Sequence, residues 1–71
     1  MKLIINGEHK VIQAISGTTS LDRVINQLDH HPQSIVVEFN GIIIQRKNWP
    51  SQQVSDGDKI EIVTIVGGGS F

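Results

Sequence analysis

The 71-residue sequence predicts an α+β fold in which one helix lies across one face of a mixed five-stranded sheet. Three observations carry this reading. Two Asn-Gly pairs, Asn6-Gly7 and Asn40-Gly41, each join β-branched runs. Asn-Gly is a strong hairpin signal because both positions tolerate positive φ. Between the two hairpins lies one segment with helical apolar spacing, and a last β-branched run follows an Asp-Gly-Asp turn. The predicted order is β-β-α-β-β-β.

Each element has its own justification. Lys2-Leu3-Ile4-Ile5 is short and β-branched, and the chain returns from the Asn6-Gly7 turn over Glu8 to Ile15. Ser16-Gly17 breaks that run. Thr19 is the expected helix N-cap, with Asp22 three residues on as a weak capping box. Leu21, Val24, Ile25 and Leu28 fall on one helical stripe, and Asp22, Arg23, Asn26, Gln27 and Asp29 take the wet side. Pro32 disfavours helical geometry at His31, so the helix is expected to stop near Asp29 or His30. Ser34 to Asn40 reads as a strand with Ile35, Val37 and Phe39 on one face and Glu38 on the other. Ile42 to Gln45 returns, and residues 47–55, which include Pro50, read as irregular. After the Asp56-Gly57-Asp58 turn, Lys59 to Val66 is the last strand, with Ile60 and Ile62 facing one way and Lys59 and Glu61 the other. One apolar helical stripe covers one sheet face. The β-grasp arrangement satisfies this order, with the first and last strands parallel and adjacent at the centre and the helix packed across them.

Composition narrows the function. The length suits one domain, and no repeat or linker is visible. No cysteine is present, which removes disulfides, thiolate metal sites and cysteine nucleophiles. Six basic against seven acidic residues leave a net charge of -1, without the basic excess of a nucleic-acid binder. The three aromatics, Phe39, Trp49 and Phe71, are too few for a base-stacking platform. The sequence shows no basic leader and no long apolar segment, so a cytoplasmic protein without membrane association is expected. Ser, His and Asp occur, but nothing places them as a triad, so no catalytic residue is assigned and the chain is not expected to be an enzyme. His30-His31 with the distant His9 reads as a solvated helix end rather than a metal site. Asp56 and Asp58 read as turn residues, since the long ligand-bearing loop of a calcium site is missing. Trp49 is either a core plug or an edge contact.

The C-terminal Gly67-Gly68-Gly69 follows directly on an apolar strand. Ordering three glycines costs more backbone entropy than ordering any other residues, so residues 67–71 are expected to form a flexible tail beyond a domain of residues 1–66. Extended, the glycines reach roughly 10 Å, at about 3.5 Å per residue. Without Cβ atoms they thread a narrow pocket. A frayed terminus and a fusion scar are the bland alternatives.

The tail does not stand alone. Met1-Lys2-Leu3-Ile4-Ile5-Asn6-Gly7-Glu8, Ile35-Val36-Val37-Glu38-Phe39-Asn40-Gly41, Trp49, Asp56-Gly57-Asp58-Lys59-Ile60-Glu61-Ile62-Val63 and Val66-Gly67-Gly68-Gly69 resemble the ThiS family of thiamine biosynthesis, in order and spacing over almost the whole chain. Each piece is common on its own, and their combination is specific. The resemblance implies a ubiquitin-like β-grasp sulfur carrier. An E1-like adenylyltransferase, using ATP and magnesium, adenylates the terminal carboxylate. A sulfur nucleophile, supplied by a sulfur donor protein, then converts it to a glycyl thiocarboxylate, and thiazole synthase takes the sulfur into the thiazole ring. The chain itself would bind no cofactor and no metal. The implied attachment site is Gly69, with Gly67 and Gly68 as flexible approach.

The sequence departs from the family pattern at its end. Ser70 and Phe71 follow Gly69, whose carboxyl group is therefore an amide. Removal of Ser70-Phe71 is expected before activation, by analogy with ubiquitin-like precursors. A fusion scar, or a copy that is never activated, are the alternatives. Continued alternation along the last strand places Val63 and Ile65 outward with Lys59 and Glu61. Together with Val66 they form an expected docking patch for the partner enzymes, against the alternatives of a second buried face or a bulge that shifts the register. Three other functional readings stay open. One is a molybdopterin-synthase small-subunit-like carrier, another a ubiquitin-like protein modifier, and the third an interaction module with an inert tail.

Overall fold

The computed structural model describes residues 1–13, 19–28 and 34–65. Strands β1 (Lys2–Ile5) and β2 (Glu8–Val11) form an antiparallel hairpin with Ile5 opposite Glu8. Asn6 and Gly7 adopt φ of 50° and 80°, as the tight turn demands. Ile12 N–H donates to Met1 O at 2.8 Å, which carries the pairing past β2. The expected continuation to Ile15 and the break at Ser16-Gly17 lie outside the described residues.

Helix α1 (Leu21–Gln27) has seven residues, too few to be stable in isolation. Packing holds it: Leu21, Val24 and Ile25 are buried, and Leu28 packs half-buried against the same core. Its start differs from the expectation. Thr19 does not cap it. Thr19–Ser20 form a short strand, β3, and Ser20 is the N-cap. Leu21 N–H donates to Gln52 O at 2.8 Å, so a main-chain carbonyl satisfies the first helical donor. The Ser20 hydroxyl is turned to the Asp22 carboxylate instead. The helix ends at Gln27 with Leu28 as C-cap, slightly before the expected stop. Asp29, His30, His31 and Pro32 lie outside the described residues.

The second hairpin follows the first closely in design. Strands β4 (Ile35–Phe39) and β5 (Ile42–Ile43) flank Asn40 and Gly41, at φ of 50° and 87°. A Cβ on Gly41 would meet nothing within 4 Å, so glycine is required there for its backbone and not for space. Ile44 N–H keeps the register by donating to Val37 O at 3.0 Å. The strand then ends before Gln45, because the chain turns into a 3-10 helix, Arg46–Ser51. Sequence reading treats this region as irregular. What organises it is Trp49, whose ring is buried and whose Nε1–H donates to Ile44 O at 2.9 Å. Trp49 is thus a core plug. The chain goes on into β6 (Gln53–Val54), which pairs antiparallel with β3, Thr19 opposite Val54.

Strand β7 (Lys59–Thr64) closes the sheet. It runs parallel to β1, Ile5 beside Ile60, and antiparallel to β4, Phe39 beside Ile60. The order is β2-β1-β7-β4-β5, a mixed five-stranded sheet with the first and last of its strands at the centre, as expected. Leu3, Ile5, Val37, Phe39, Ile60 and Ile62 present one apolar face, and the helix stripe, Trp49 and Val54 complete the core. Burying one such side chain contributes about 1.5–3 kcal/mol. Among the described residues no helix is long and apolar enough to cross a membrane.

Both turn asparagines reach back to β7. The Asn6 side-chain oxygen accepts Ile62 N–H at 2.6 Å, and the Asn40 side-chain oxygen accepts Lys59 N–H at 2.9 Å. Each asparagine therefore sets a hairpin and pins the last strand. Asn6→Gly keeps the positive φ but removes the acceptor for Ile62 N–H. Urea unfolding should show a loss of about 1–3 kcal/mol. Asn6→Ala should lose more, because it also strains the turn.

Candidate functional site

The candidate site is the end of β7 and the sheet face beside it. Val66, Gly67, Gly68, Gly69, Ser70 and Phe71 lie outside the described residues, so the structure shows the base from which the glycine run departs. The strand leading to it is anchored at its start. Asn6 N–H donates to Ile60 O at 2.9 Å from the β1 side, and Asn40 N–H donates to Lys59 O at 2.8 Å from the β4 side. At the far end, Ile65 N–H donates to Ser34 O at 2.7 Å, one residue past Thr64 where β7 stops.

The two faces of β7 differ sharply. Ile60 and Ile62 are buried, while Val63 is 57% and Ile65 48% exposed. Pairing with β4 runs unbroken from Phe39–Ile60 to Ile35–Thr64, so no bulge shifts the register. No second buried face forms among the described residues either, given those exposures. The sequence reading passes over two further members of this face. Val36 lies opposite Val63 and is half-buried. Ile43 lies opposite Glu38 and is 63% exposed. A signal for Ile43 exists in the sequence. A two-residue turn at Asn40-Gly41 sets Phe39 opposite Ile42 and Glu38 opposite Ile43, so an outward Glu38 requires an outward Ile43. Glu38 and Glu61 also face each other across β4 and β7.

The remaining polar groups serve the fold. The Asp56 carboxylate accepts Lys2 N–H at 2.6 Å. The Asp58 carboxylate accepts Ser55 N–H at 2.8 Å and Asn40 Nδ2–H at 3.2 Å. Both are turn residues that fasten the start of β7. His9 is exposed on β2, while His30 and His31 lie outside the described residues. Among the described residues no three His, Asp or Glu side chains gather in one place. The geometry therefore offers an exposed apolar face and a bonded strand end.

Comparison with known proteins bears on the family and the fold. The sequence model of the ThiS family matches residues 3–69. The chain belongs to the ThiS family. The solved ThiS thiamine biosynthesis protein of Geobacter metallireducens superposes with a TM-score of 0.82 at 26% identity, over 97% of this chain and 100% of that one. The Escherichia coli sulfur carrier protein ThiS is 28% identical over 69 residues, 97% of this chain and 100% of that protein. An uncharacterized protein, ycf40, of Trieres chinensis is 44% identical over 54 residues, 76% of this chain and 74% of that protein. A thiazole synthase of Paramagnetospirillum magneticum is 36% identical over 70 residues, 99% of this chain, yet the chain spans only 21% of that protein's length.

The contrast between neighbouring faces of the ThiS-family strand gives a direct check. Ile65→Glu should shift stability by no more than about 0.5 kcal/mol, as for other surface changes. Ile62→Glu should cost more than about 3 kcal/mol, because it buries an unpaired carboxylate. Denaturant midpoints of the two variants measure the difference.

Proposed function

We propose that this chain is a sulfur carrier of thiamine biosynthesis, handled as a substrate by its partners, with Gly69 as the residue that takes the sulfur. The observation that carries the reading is the extent of the family match. It runs from residue 3 through Gly69, and Ser70 and Phe71 lie beyond it. The full-length alignment with the Escherichia coli sulfur carrier supports the same role.

The chemistry follows from the type of group presented. Once Ser70 and Phe71 are removed, Gly69 ends in a free carboxylate. An E1-like adenylyltransferase, which holds the ATP and magnesium, lets that carboxylate attack the α-phosphorus with loss of pyrophosphate. The resulting acyl-adenylate is a mixed anhydride. Hydrosulfide released by a donor protein attacks its carbonyl carbon, the carbonyl–phosphate oxygen bond breaks with AMP as leaving group, and a glycyl thiocarboxylate results. Thiazole synthase then consumes the sulfur, and the carrier works with these enzymes in the cytoplasm. This chain supplies position: in-line attack tolerates little misplacement, and pairing of the end of β7 with β4 limits where the glycine run starts. Exposed Val63 and Ile65 sit at that start and, with Val66, serve as the docking surface for the activating enzyme.

The test is incubation of a chain ending at Gly69 with its activating enzyme, ATP, magnesium and a sulfur source. Intact-mass measurement should show the acyl-adenylate and then the thiocarboxylate, with neither formed on the chain that retains Ser70 and Phe71. Failure of the shortened chain to be acylated onto AMP rejects the reading. A thiocarboxylated species that still carries Ser70 and Phe71 rejects the trimming step.

A further inference from the structure

Asn6 and Asn40 each precede a glycine, and both turns are exposed. Such a pair carries its own chemistry. The glycine's main-chain nitrogen is the nearest nucleophile to the asparagine side-chain carbonyl, and glycine brings no Cβ to obstruct the ring they can form. What separates the two asparagines is how firmly the fold holds them. The Asn6 side-chain oxygen accepts Ile62 N–H at 2.6 Å in a half-buried position, and its turn closes on β2, a strand of four residues. The Asn40 side chain is held by longer, exposed bonds, its oxygen to Lys59 N–H at 2.9 Å and its Nδ2–H to the Asp58 carboxylate at 3.2 Å. Its turn closes on β5, an edge strand of two residues, both exposed. Segments with few buried contacts and exposed hydrogen bonds open at the lowest free energy.

We propose that Asn40 is a site of self-modification, at which opening of the turn lets the Gly41 nitrogen attack the Asn40 side-chain carbonyl carbon. The new C–N bond closes a succinimide ring, the Cγ–Nδ2 bond breaks, and ammonia leaves with the proton of Gly41 N–H. Water then adds to one of the two ring carbonyls and reopens the ring. Attack at one gives an aspartyl residue. Attack at the other gives an isoaspartyl residue, whose main chain runs through the side-chain methylene. The consequence falls on β7. The Nδ2 donor to Asp58 is lost, and a carboxylate takes its place beside Asp58, in the depression that Asn40 shares with Glu38, Glu61 and Lys59. Asp58 also accepts Ser55 N–H, so repulsion there loosens the turn from which β7 starts. The isoaspartyl form further lengthens the two-residue turn by one carbon, against the register of Glu38 with Ile43 and Phe39 with Ile42. Asn40 thereby sets a chemical lifetime on the sheet, whatever the chain carries on its glycine run.

The test follows the full chain through incubation at mildly alkaline pH, folded and in urea, with peptide mapping by mass spectrometry and enzymatic methylation of isoaspartate as readouts. In urea the two Asn-Gly sites should react at similar rates. In the folded chain Asn40 should react at least about threefold faster than Asn6, in the ratio of their opening equilibria. The modified product should unfold at a lower temperature than fresh protein. Asn40→Asp should lower the midpoint as well. The exchange Asn40→Asp/Asp58→Asn should recover most of that loss, because amide donor and carboxylate trade places, whereas a mere turn defect would not be rescued. Conversion of Asn6 as fast as Asn40 in the folded chain overturns the proposal. So does an Asn40 rate more than about a hundredfold below that in urea, because an exposed edge turn opens more readily than that. An unchanged midpoint in the modified product overturns the effect on β7.

Discussion

The structure depends on the pairing of one strand along both of its edges. β7 is the last strand, yet it lies between β1 and β4, parallel to one and antiparallel to the other. Lys59 and Ile60 are paired on both sides, and the strand is paired with β4 from Ile60 to Thr64. The two turn asparagines extend that pairing beyond the ends of the neighbouring strands, through Ile62 N–H and Lys59 N–H. A strand held along both edges cannot slip register without breaking both ladders at once. The end from which the glycine run departs is held on the β4 side, by Thr64 opposite Ile35 and Ile65 N–H on Ser34 O.

The same strand separates the buried core from the exposed outer face. Ile60 and Ile62 fill the core against the helix stripe, while Lys59, Glu61 and Val63 point to the opposite side. Because the pleat alternates strictly, one short segment fills the core and displays an exposed outer face without conflict between the two demands. The rest of that surface comes from β4 and β5 through Val36, Glu38 and Ile43. The helix covers the other face, so the apolar side chains of the outer face take no part in the core. A domain of this size has little stability to spare, so its apolar contacts are concentrated on the covered face.

Local signals in the sequence were strong where a single short-range rule decided the outcome. Asn6-Gly7 and Asn40-Gly41 fix their turns by positive φ, and period-two alternation over Ile35, Val37 and Phe39 fixes the face they bury. The helical stripe of Leu21, Val24 and Ile25 follows from spacing alone. The signals failed where the deciding partner was remote. Thr19 looks like an N-cap by local chemistry, but Gln52 O supplies the helix's first acceptor across the fold, and Thr19–Ser20 are drawn into pairing with Gln53–Val54. The 3-10 helix around Trp49 has no local periodicity to reveal it. It forms because an indole finds a buried place and the Ile44 carbonyl.

By itself, the sequence determined the hairpins, the helix stripe, the alternation of β7 and the resemblance that named the family. Each of these is set by neighbours within a few positions or by residue identity along the chain. Tertiary structure alone decided that Trp49 is core, that β3 and β6 pair, and that Glu38 and Glu61 meet across two strands with Ile43 beside them. Those outcomes depend on which distant segments share an edge, and an edge exists only once the whole sheet has assembled.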